Sequence, residues 1–176
     1  MAFSDPVKIL EQFGVHPGAH IADLGSGSGA YTLAAAHMAG AGGRVYSIDV
    51  QPDLVSKVKN TAHSLHLTNV EVIHGDMETA GGTRLADGIC DAALVCNALF
   101  QVEQKGTFVD EIKRILKSTG RVLVVDWTDS FGGLGPQSEF VVTEDVARGL
   151  FEKHGFVFVS KLEAGDHHYG IIFRKA

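Results

Sequence analysis

The residues with the clearest chemical potential lie in one glycine-rich segment near the N-terminus, Asp23–Gly29. An apolar run precedes this segment and an alanine-rich stretch follows it, an order that predicts a strand turning directly into a helix. Gly25 and Gly27 have no Cβ, so the backbone there can turn sharply and approach a ligand. Gly29 would let the helix pack closely. The segment predicts a binding turn at the carboxyl end of the first strand.

Two ligands are compatible with this turn. The pattern G-x-G-x-x-A is typical of dinucleotide sites, and D-x-G-x-G-x-G is typical of adenosyl-methionine sites. Asp23 favours the second, because its carboxylate would repel a pyrophosphate and hold an ammonium group. Asp49 ends the second predicted strand, about 20 residues after Gly29, where an acidic side chain can accept both ribose hydroxyls of either ligand. Asp76 and the Met77 amide follow the third strand and could bind an adenine ring.

Alternating strands and helices must position these residues. Short apolar runs predict strands over 20–24, 44–50, 70–74, 91–96 and 121–127, buried on both faces of a parallel sheet. Helical spacing predicts helices from Pro6 to Phe13, over 29–38, from Pro52, over 104–117, and from Thr143 to Gly155. The last two runs, 156–162 and 168–174, are joined by a segment short enough for an antiparallel hairpin. We therefore expect an α/β, Rossmann-like, doubly wound three-layer sandwich made of five β/α units and a terminal hairpin, with a mostly parallel seven-stranded sheet.

Two stretches without strong periodicity, 77–88 and 128–140, follow strands at their carboxyl ends. Open α/β sheets bind ligands at that edge, so these loops are expected to border the site. The alternative is that they are connections only.

Length and charge narrow the class of protein. The 176 residues correspond to one domain, and 45% apolar against 20% charged residues is an ordinary globular composition. The net charge of −6 gives no general attraction to nucleic acid or anionic lipid. Cys90 and Cys96 share one apolar stretch and indicate reduced thiols of a cytoplasmic protein, and no apolar run reaches the 18 residues that a membrane span needs.

From Phe3 to Phe173 the chain resembles the class I S-adenosylmethionine-dependent methyltransferases, most closely the ubiquinone/menaquinone-biosynthesis type. The glycine motif matches at Asp23–Gly29, the acidic ribose position at Asp49, and the adenine loop at Gly75-Asp76-Met77. The fourth-strand motif corresponds to 90–97 and the fifth to 120–126. The reversed last strand is typical of this fold and foreign to ordinary dehydrogenase domains.

The resemblance implies S-adenosyl-L-methionine as cofactor and one-carbon transfer as the activity. The cofactor-binding residues it implies are Asp23, Gly25, Ser26, Gly27, Gly29, Asp49, Val50, Gly75, Asp76, Met77 and Asn97. Asn97 would contact the methionine end. On the substrate side, Phe100 and Trp127 could line the site of methyl transfer or simply belong to the core. Asp126 could orient a substrate or act as a base, or else form a salt bridge or a helix cap. No catalytic residue is assigned.

The chain departs from the family pattern in three places. Only about 20 residues precede the glycine motif, so little or no N-terminal substrate cap is expected. A second copy, a partner protein, a bound macromolecule or the loop 128–140 would then cover the site. The segment Asn97–Phe100 is not the Asn-Pro-Pro-Tyr signature of amino-directed enzymes, which favours a small-molecule acceptor, and the cysteines of arsenite methyltransferases are missing.

The histidines do not indicate a metal site, because neither the pair His63 and His66 nor the pair His167 and His168 is completed by a cysteine or acidic cluster. Two other functions stay open at this point. One is a non-catalytic adenosyl-methionine-binding module or partner subunit. The other is an NAD(P)-binding oxidoreductase.

Overall fold

The computed structural model describes residues 4–176, so Phe3, at the start of the resemblance, lies outside the described residues. The strands form one seven-stranded sheet in the order β3-β2-β1-β4-β5-β7-β6. All pairs from β3 to β5 are parallel, and β7 runs antiparallel to both of its neighbours. The predicted sheet and terminal hairpin are confirmed. The strands are β1 His20–Leu24, β2 Arg44–Asp49, β3 Val70–His74, β4 Cys90–Cys96, β5 Leu116–Trp127, β6 Phe156–Leu162 and β7 His168–Lys175.

The first and last helices begin where the sequence supplies a side-chain cap. Asp5 accepts a hydrogen bond from the Val7 amide ahead of the first helix, and Thr143 accepts one from the Val146 amide ahead of the last. Gly14 adopts a left-handed conformation that ends the first helix. The helices are α1 Pro6–Phe13, α2 Ala30–Ala39, α3 Pro52–Ser64, α4 Lys105–Ile115 and α5 Glu144–Lys153, with 3₁₀ turns at Leu99–Gln101 and Ser138–Phe140.

Two details of the predicted architecture are wrong. The count of five β/α units is wrong, because no helix lies between β3 and β4 of the described chain. Residues 75–89 form turns and irregular segments, which confirms the loop predicted over 77–88. The predicted helix 104–117 ends at Ile115 instead, because Leu116 already pairs with Cys90 and opens β5. Tertiary pairing overrides helical spacing at that boundary.

Both faces of the sheet are covered, which confirms the three-layer arrangement. On one face α4 and α5 bury Phe108 and Phe151 against β7, where the rings of Phe151 and Phe173 stack 4.8 Å apart. On the other face α1 and α2 bury Leu10, Phe13 and neighbouring alanines. No helix within residues 4–176 combines the length and apolar character needed to cross a bilayer.

A buried carboxylate holds the helix-free segment 75–89 in place. Glu111, on α4, is 3% exposed and accepts hydrogen bonds from the Gly81 and Thr83 amides, the Thr83 hydroxyl and the Arg114 guanidinium. Burial by itself raises the pKa of Glu111, but the bonds from Arg114, Thr83 and Gly81 outweigh it and lower the pKa to about 2. This carboxylate stabilises the segment in place of the missing helix.

We expect Glu111→Gln to lower the free energy of unfolding by roughly 3 kcal/mol at pH 7, since a pKa lowered from 4.5 to about 2 is worth about 1.4 kcal/mol per unit. The depressed pKa means that the contribution is present above pH 4.5 and is lost as the pH falls towards 2. Urea unfolding at pH 7 and pH 3 measures the change. Glu103→Gln, an exposed neighbour, is the control, and a variant difference that does not shrink at pH 3 would contradict the assignment.

Candidate functional site

A cavity of about 470 Å³ opens at the carboxyl ends of β1, β2 and β4. The strand order reverses between β1 and β4, and such a reversal leaves a crevice where open α/β sheets bind ligands. Seven of the predicted cofactor residues lie on its wall: Gly25, Ser26, Gly27, Asp49, Val50, Met77 and Asn97.

The glycine turn is fastened to the end of β2. The amides of Gly25 and Ser26 both donate to the Ile48 carbonyl, at 2.9 and 3.1 Å, and the Gly27 amide donates to Asp49 Oδ2 at 2.9 Å. A Cβ at Gly25 would lie 2.9 Å from the Ala98 Cβ, whereas one at Gly27 would meet no protein atom within 4 Å. Gly25 is therefore required by packing against the chain after β4, and Gly27 stands in open space on the wall.

Asp49 is both a structural anchor and a wall residue. It is only 6% exposed, and besides Gly27 it accepts a bond from the Gln51 amide, 2.9 Å from Oδ1. An ionised carboxylate has about four acceptor positions. Two of these remain available to a ligand that brings hydroxyl groups to the wall.

One buried polar atom on the wall, Asn97 Oδ1, has no hydrogen-bond partner in the described part of the chain. The Tyr31 hydroxyl, also on the wall, is buried beside Ser4 and the Cys96 thiol. Asn97 also has a left-handed backbone, with φ of 54°, and its amide donates to the Val125 carbonyl. An unsatisfied buried polar atom costs about 1–3 kcal/mol, so its persistence in a cavity wall indicates a missing ligand partner.

Four predicted cofactor residues do not lie on the wall. Asp23 is 2% exposed and accepts a bond of 2.6 Å from the Thr32 hydroxyl, and burial raises its pKa to about 6. Gly29 allows the close packing that its position predicts, since a Cβ there would lie 2.8 Å from Val58 Cγ2. A Cβ at Gly75 would clash with the Gly82 carbonyl.

The fourth, Asp76, is exposed and closes its own loop. Its carboxylate accepts bonds from the Glu78 amide and the Thr79 hydroxyl, both at 3.0 Å. Met77 and Glu78 of the same loop do lie on the wall. The Glu78 carboxylate in turn accepts from the Glu103 and Gln104 amides at the start of α4. The adenine contact of Asp76 stays a prediction.

The predicted substrate residues also lie off the wall. Asp126 is fully buried and accepts bonds from the Phe100 and Trp127 amides, so it caps the 3₁₀ turn at Leu99–Gln101, and burial raises its pKa to about 6. Trp127 packs between Gly135 and the His168 ring, whose centroid is 4.2 Å from that of the Trp127 ring. The structure therefore agrees with the helix-cap alternative for Asp126 and with the packing alternative for Trp127.

Sequence patterns missed the residues that enclose the rest of the cavity. Ser4 and Pro6, at the start of α1, reach the wall, so the segment before β1 does border the site. Tyr31 lies in the first turn of α2, and an aromatic residue directly after a glycine turn is the one signal that could have identified it. The other missed wall residues are Ser28, Ala30, Gln51, Leu54, Glu78, Cys96, Ala98, Gln101, Val102 and Phe108. Within residues 4–176, no three His, Cys, Asp or Glu side chains are grouped as metal ligands.

Comparison with known proteins places this site in a family. The sequence model of a methyltransferase domain matches residues 15–159. An arsenite methyltransferase from Halobacterium salinarum is 29% identical over 110 residues, and a demethylmenaquinone methyltransferase from Bacillus mycoides is 28% identical over 112 residues. These matches cover 62% and 64% of the chain but only 27% and 46% of the relatives, so the chain spans about half or less of their length.

The structure is similar to the crystal structure of a SAM-dependent methyltransferase from Aquifex aeolicus, with a TM-score of 0.91 and 28% sequence identity, over 99% of this chain and 91% of that one. The predicted fold and resemblance are thereby confirmed. With a family match that covers most of its residues and a glycine turn at the switch point of its sheet, the chain belongs to the methyltransferase domain family, within the class I S-adenosylmethionine-dependent enzymes.

Proposed function

We propose that the chain binds S-adenosyl-L-methionine in this cavity and transfers its methyl group to a small molecule. The observation that carries the proposal is Asp49, which holds the glycine turn through Gly27 and keeps two acceptor positions on the cavity wall. Two vicinal ribose hydroxyls are the matching donors. S-adenosylmethionine supplies an activated methyl group, and the chain's own part is to align the acceptor and to exclude water.

The remaining wall residues fit the other parts of the cofactor. Asn97 Oδ1 could accept from the methionine ammonium, and the Tyr31 hydroxyl could donate to its carboxylate. Val50, Leu54 and Met77 provide apolar surface for an adenine ring. Asp23 would act through its buried charge, behind the wall, instead of through direct contact.

A dinucleotide fits this site poorly. The Gly27 amide, which a pyrophosphate would need, already donates to Asp49, and the wall there carries negative charge. The antiparallel β7 between β5 and β6 also differs from the parallel order of dinucleotide-binding domains.

An arsenite acceptor is also disfavoured, although arsenite methyltransferases are among the relatives. Arsenic(III) would be held by thiolates, as a soft ligand set requires. Cys90 and Cys96 are free but buried, and burial raises the pKa of Cys90 to about 12 and that of Cys96 well above its ordinary value.

Reduced thiols and a net negative charge support a cytoplasmic protein without nucleic-acid or membrane partners. Residues 128–140 or a second copy could complete the cover of the cavity.

The direct test is thermal unfolding with S-adenosylhomocysteine and, separately, with NADH. A ligand of the native state at a hundredfold excess over its Kd stabilises the protein by about 2.7 kcal/mol. We expect stabilisation by S-adenosylhomocysteine alone, together with transfer of a labelled methyl group from S-adenosylmethionine to a component of a small-molecule extract. Binding without transfer would favour the non-catalytic module, and stabilisation by NADH alone would contradict the cofactor.

We expect Asp49→Asn to weaken S-adenosylhomocysteine binding roughly 10- to 150-fold, because a hydrogen bond to a charged group is worth about 1.5–3 kcal/mol. Calorimetry measures the affinity. Asp53→Asn, in the exposed first turn of α3, is the matched control. The ribose assignment is tested with the 2′-deoxy form of the ligand. Wild type should bind this form more weakly than S-adenosylhomocysteine, whereas the variant should bind the two ligands with equal affinity. An equal loss in both proteins would rule it out.

Asn97→Gly should separate stability from binding. The change removes an unsatisfied buried acceptor and relieves a positive φ, so the ligand-free protein should be as stable as wild type or up to about 1 kcal/mol more stable. S-adenosylhomocysteine affinity should fall roughly tenfold. Asn69→Ala is the opposite control, because the Asn69 amide donates to Ala36 and Gly40 and its loss should cost stability alone. A destabilised Asn97→Gly protein with full affinity would refute this role.

A further inference from the structure

Two carboxylates lie buried behind the cavity wall, on either side of the end of β4. Asp23 is next to the last residue of β1, and Asp126 is next to the last residue of β5; β1 and β5 are the two strands that flank β4. Their exposed fractions are 2% and 0%. Between them Cys96 ends β4 and lines the cavity, and adjacent strands lie only about 4.8 Å apart. Besides burial, the charges of both carboxylates raise the pKa of the Cys96 thiol.

Neither carboxylate has a cationic partner in the part of the chain that the structure describes. Asp23 is held by the Thr32 hydroxyl, and Asp126 by the Phe100 and Trp127 amides. The charge of Lys105 lowers the pKa of Asp126 only slightly, and its ammonium group donates a hydrogen bond to the Val102 carbonyl instead.

The residues of the described chain that line the cavity also carry a net negative charge, without a cationic partner among them. The charged side chains that line it, among residues 4–176, are Asp49 and Glu78, and no lysine, arginine or histidine of that range lines it. A buried carboxylate without a counter-ion is costly, and a positive charge placed beside it relieves the cost. A cationic ligand in the cavity would therefore relieve this cost.

We propose, building on the function proposed above, that the methyl acceptor is a neutral nitrogen nucleophile, an amine or a ring nitrogen, that becomes cationic on methylation. The nitrogen lone pair forms the bond to the methyl carbon while the carbon–sulfur bond breaks and its electron pair stays on sulfur. The sulfonium becomes a neutral thioether, and the positive charge passes to nitrogen. The product is a cation while it occupies the site. Where the methylated nitrogen carries a hydrogen, it loses this proton to water after the product has left.

This charge movement suits the site at every stage. The positive charge starts on sulfur and ends on nitrogen, so a cation occupies the cavity throughout, in front of the wall behind which Asp23 and Asp126 are buried. An anionic nucleophile would be repelled by the same carboxylates, and its reaction would leave no cation in the site. A neutral nitrogen also needs no base before transfer, and the Tyr31 phenol, with its pKa raised chiefly by burial, is not one.

The charge preference is tested with sinefungin, the S-adenosylmethionine analogue in which a carbon bearing a primary ammonium replaces the sulfur and its methyl group. We expect calorimetry at pH 8 to show it binding roughly tenfold more tightly than the uncharged thioether S-adenosylhomocysteine. Asp126→Asn should reduce this ratio to within about threefold. Asp23→Asn, which keeps an oxygen for the Thr32 hydroxyl, serves as the second variant if Asp126→Asn does not fold.

Asp91→Asn is the matched control, because Asp91 lies at the opposite end of β4, paired with Lys117. It should leave the ratio unchanged. A ratio near one in wild type, or a ratio kept in both test variants, would overturn the proposal. Failure of S-adenosylhomocysteine to bind at all would instead reject the proposed function.

Transfer itself provides the second readout. When the enzyme is supplied with deuteromethyl S-adenosylmethionine and a small-molecule extract, the labelled products should carry the methyl group on nitrogen. Labelling of carboxylate, phenolate or thiolate groups in place of nitrogen would contradict the proposal.

Discussion

The hydrogen bond from the Gly27 amide to Asp49 connects the glycine turn after β1 to the end of β2. It can form only because β1 and β2 are parallel neighbours in register, so that both end at the same edge. The same carboxylate then accepts from Gln51 at the start of α3. One side chain thus sets the position of the glycine turn, the entry to the next helix and the wall that a ribose would meet.

The site is assembled at a cost to the ligand-free protein. In the described part of the chain, Asn97 Oδ1 is buried without a hydrogen-bond partner, and Asp23 and Asp126 are buried without counter-ions. Each of these features opposes folding in the absence of ligand. A folded chain that keeps these groups on or behind the wall of one cavity suits a ligand with both hydrogen-bonding groups and positive charge, and S-adenosylmethionine has both.

The segment after β3 shows how buried polar contacts replace regular structure. Residues 75–89 form no helix, yet Glu111 and Glu78 attach the segment to α4 from both directions. Met77 is thereby held on the cavity wall through contacts made elsewhere in the segment. The loop is thus held by side-chain contacts, while its backbone keeps the close approaches that Gly75 and Gly82 allow.

The sequence by itself determined the order of elements, the reversed last strand, the glycine turn and the acidic residue that ends β2, because hydrophobic periodicity, caps and glycine positions are local signals. It also identified the family. Only the tertiary structure decided which side chains reach the cavity. Asp126 and Trp127 sit at the expected edge, yet one caps a 3₁₀ turn and the other packs on His168, while Tyr31, Ser4 and Cys96 reach the wall unpredicted. Placement along a strand is a local property, but the direction and burial of a side chain depend on which distant segments pack over it.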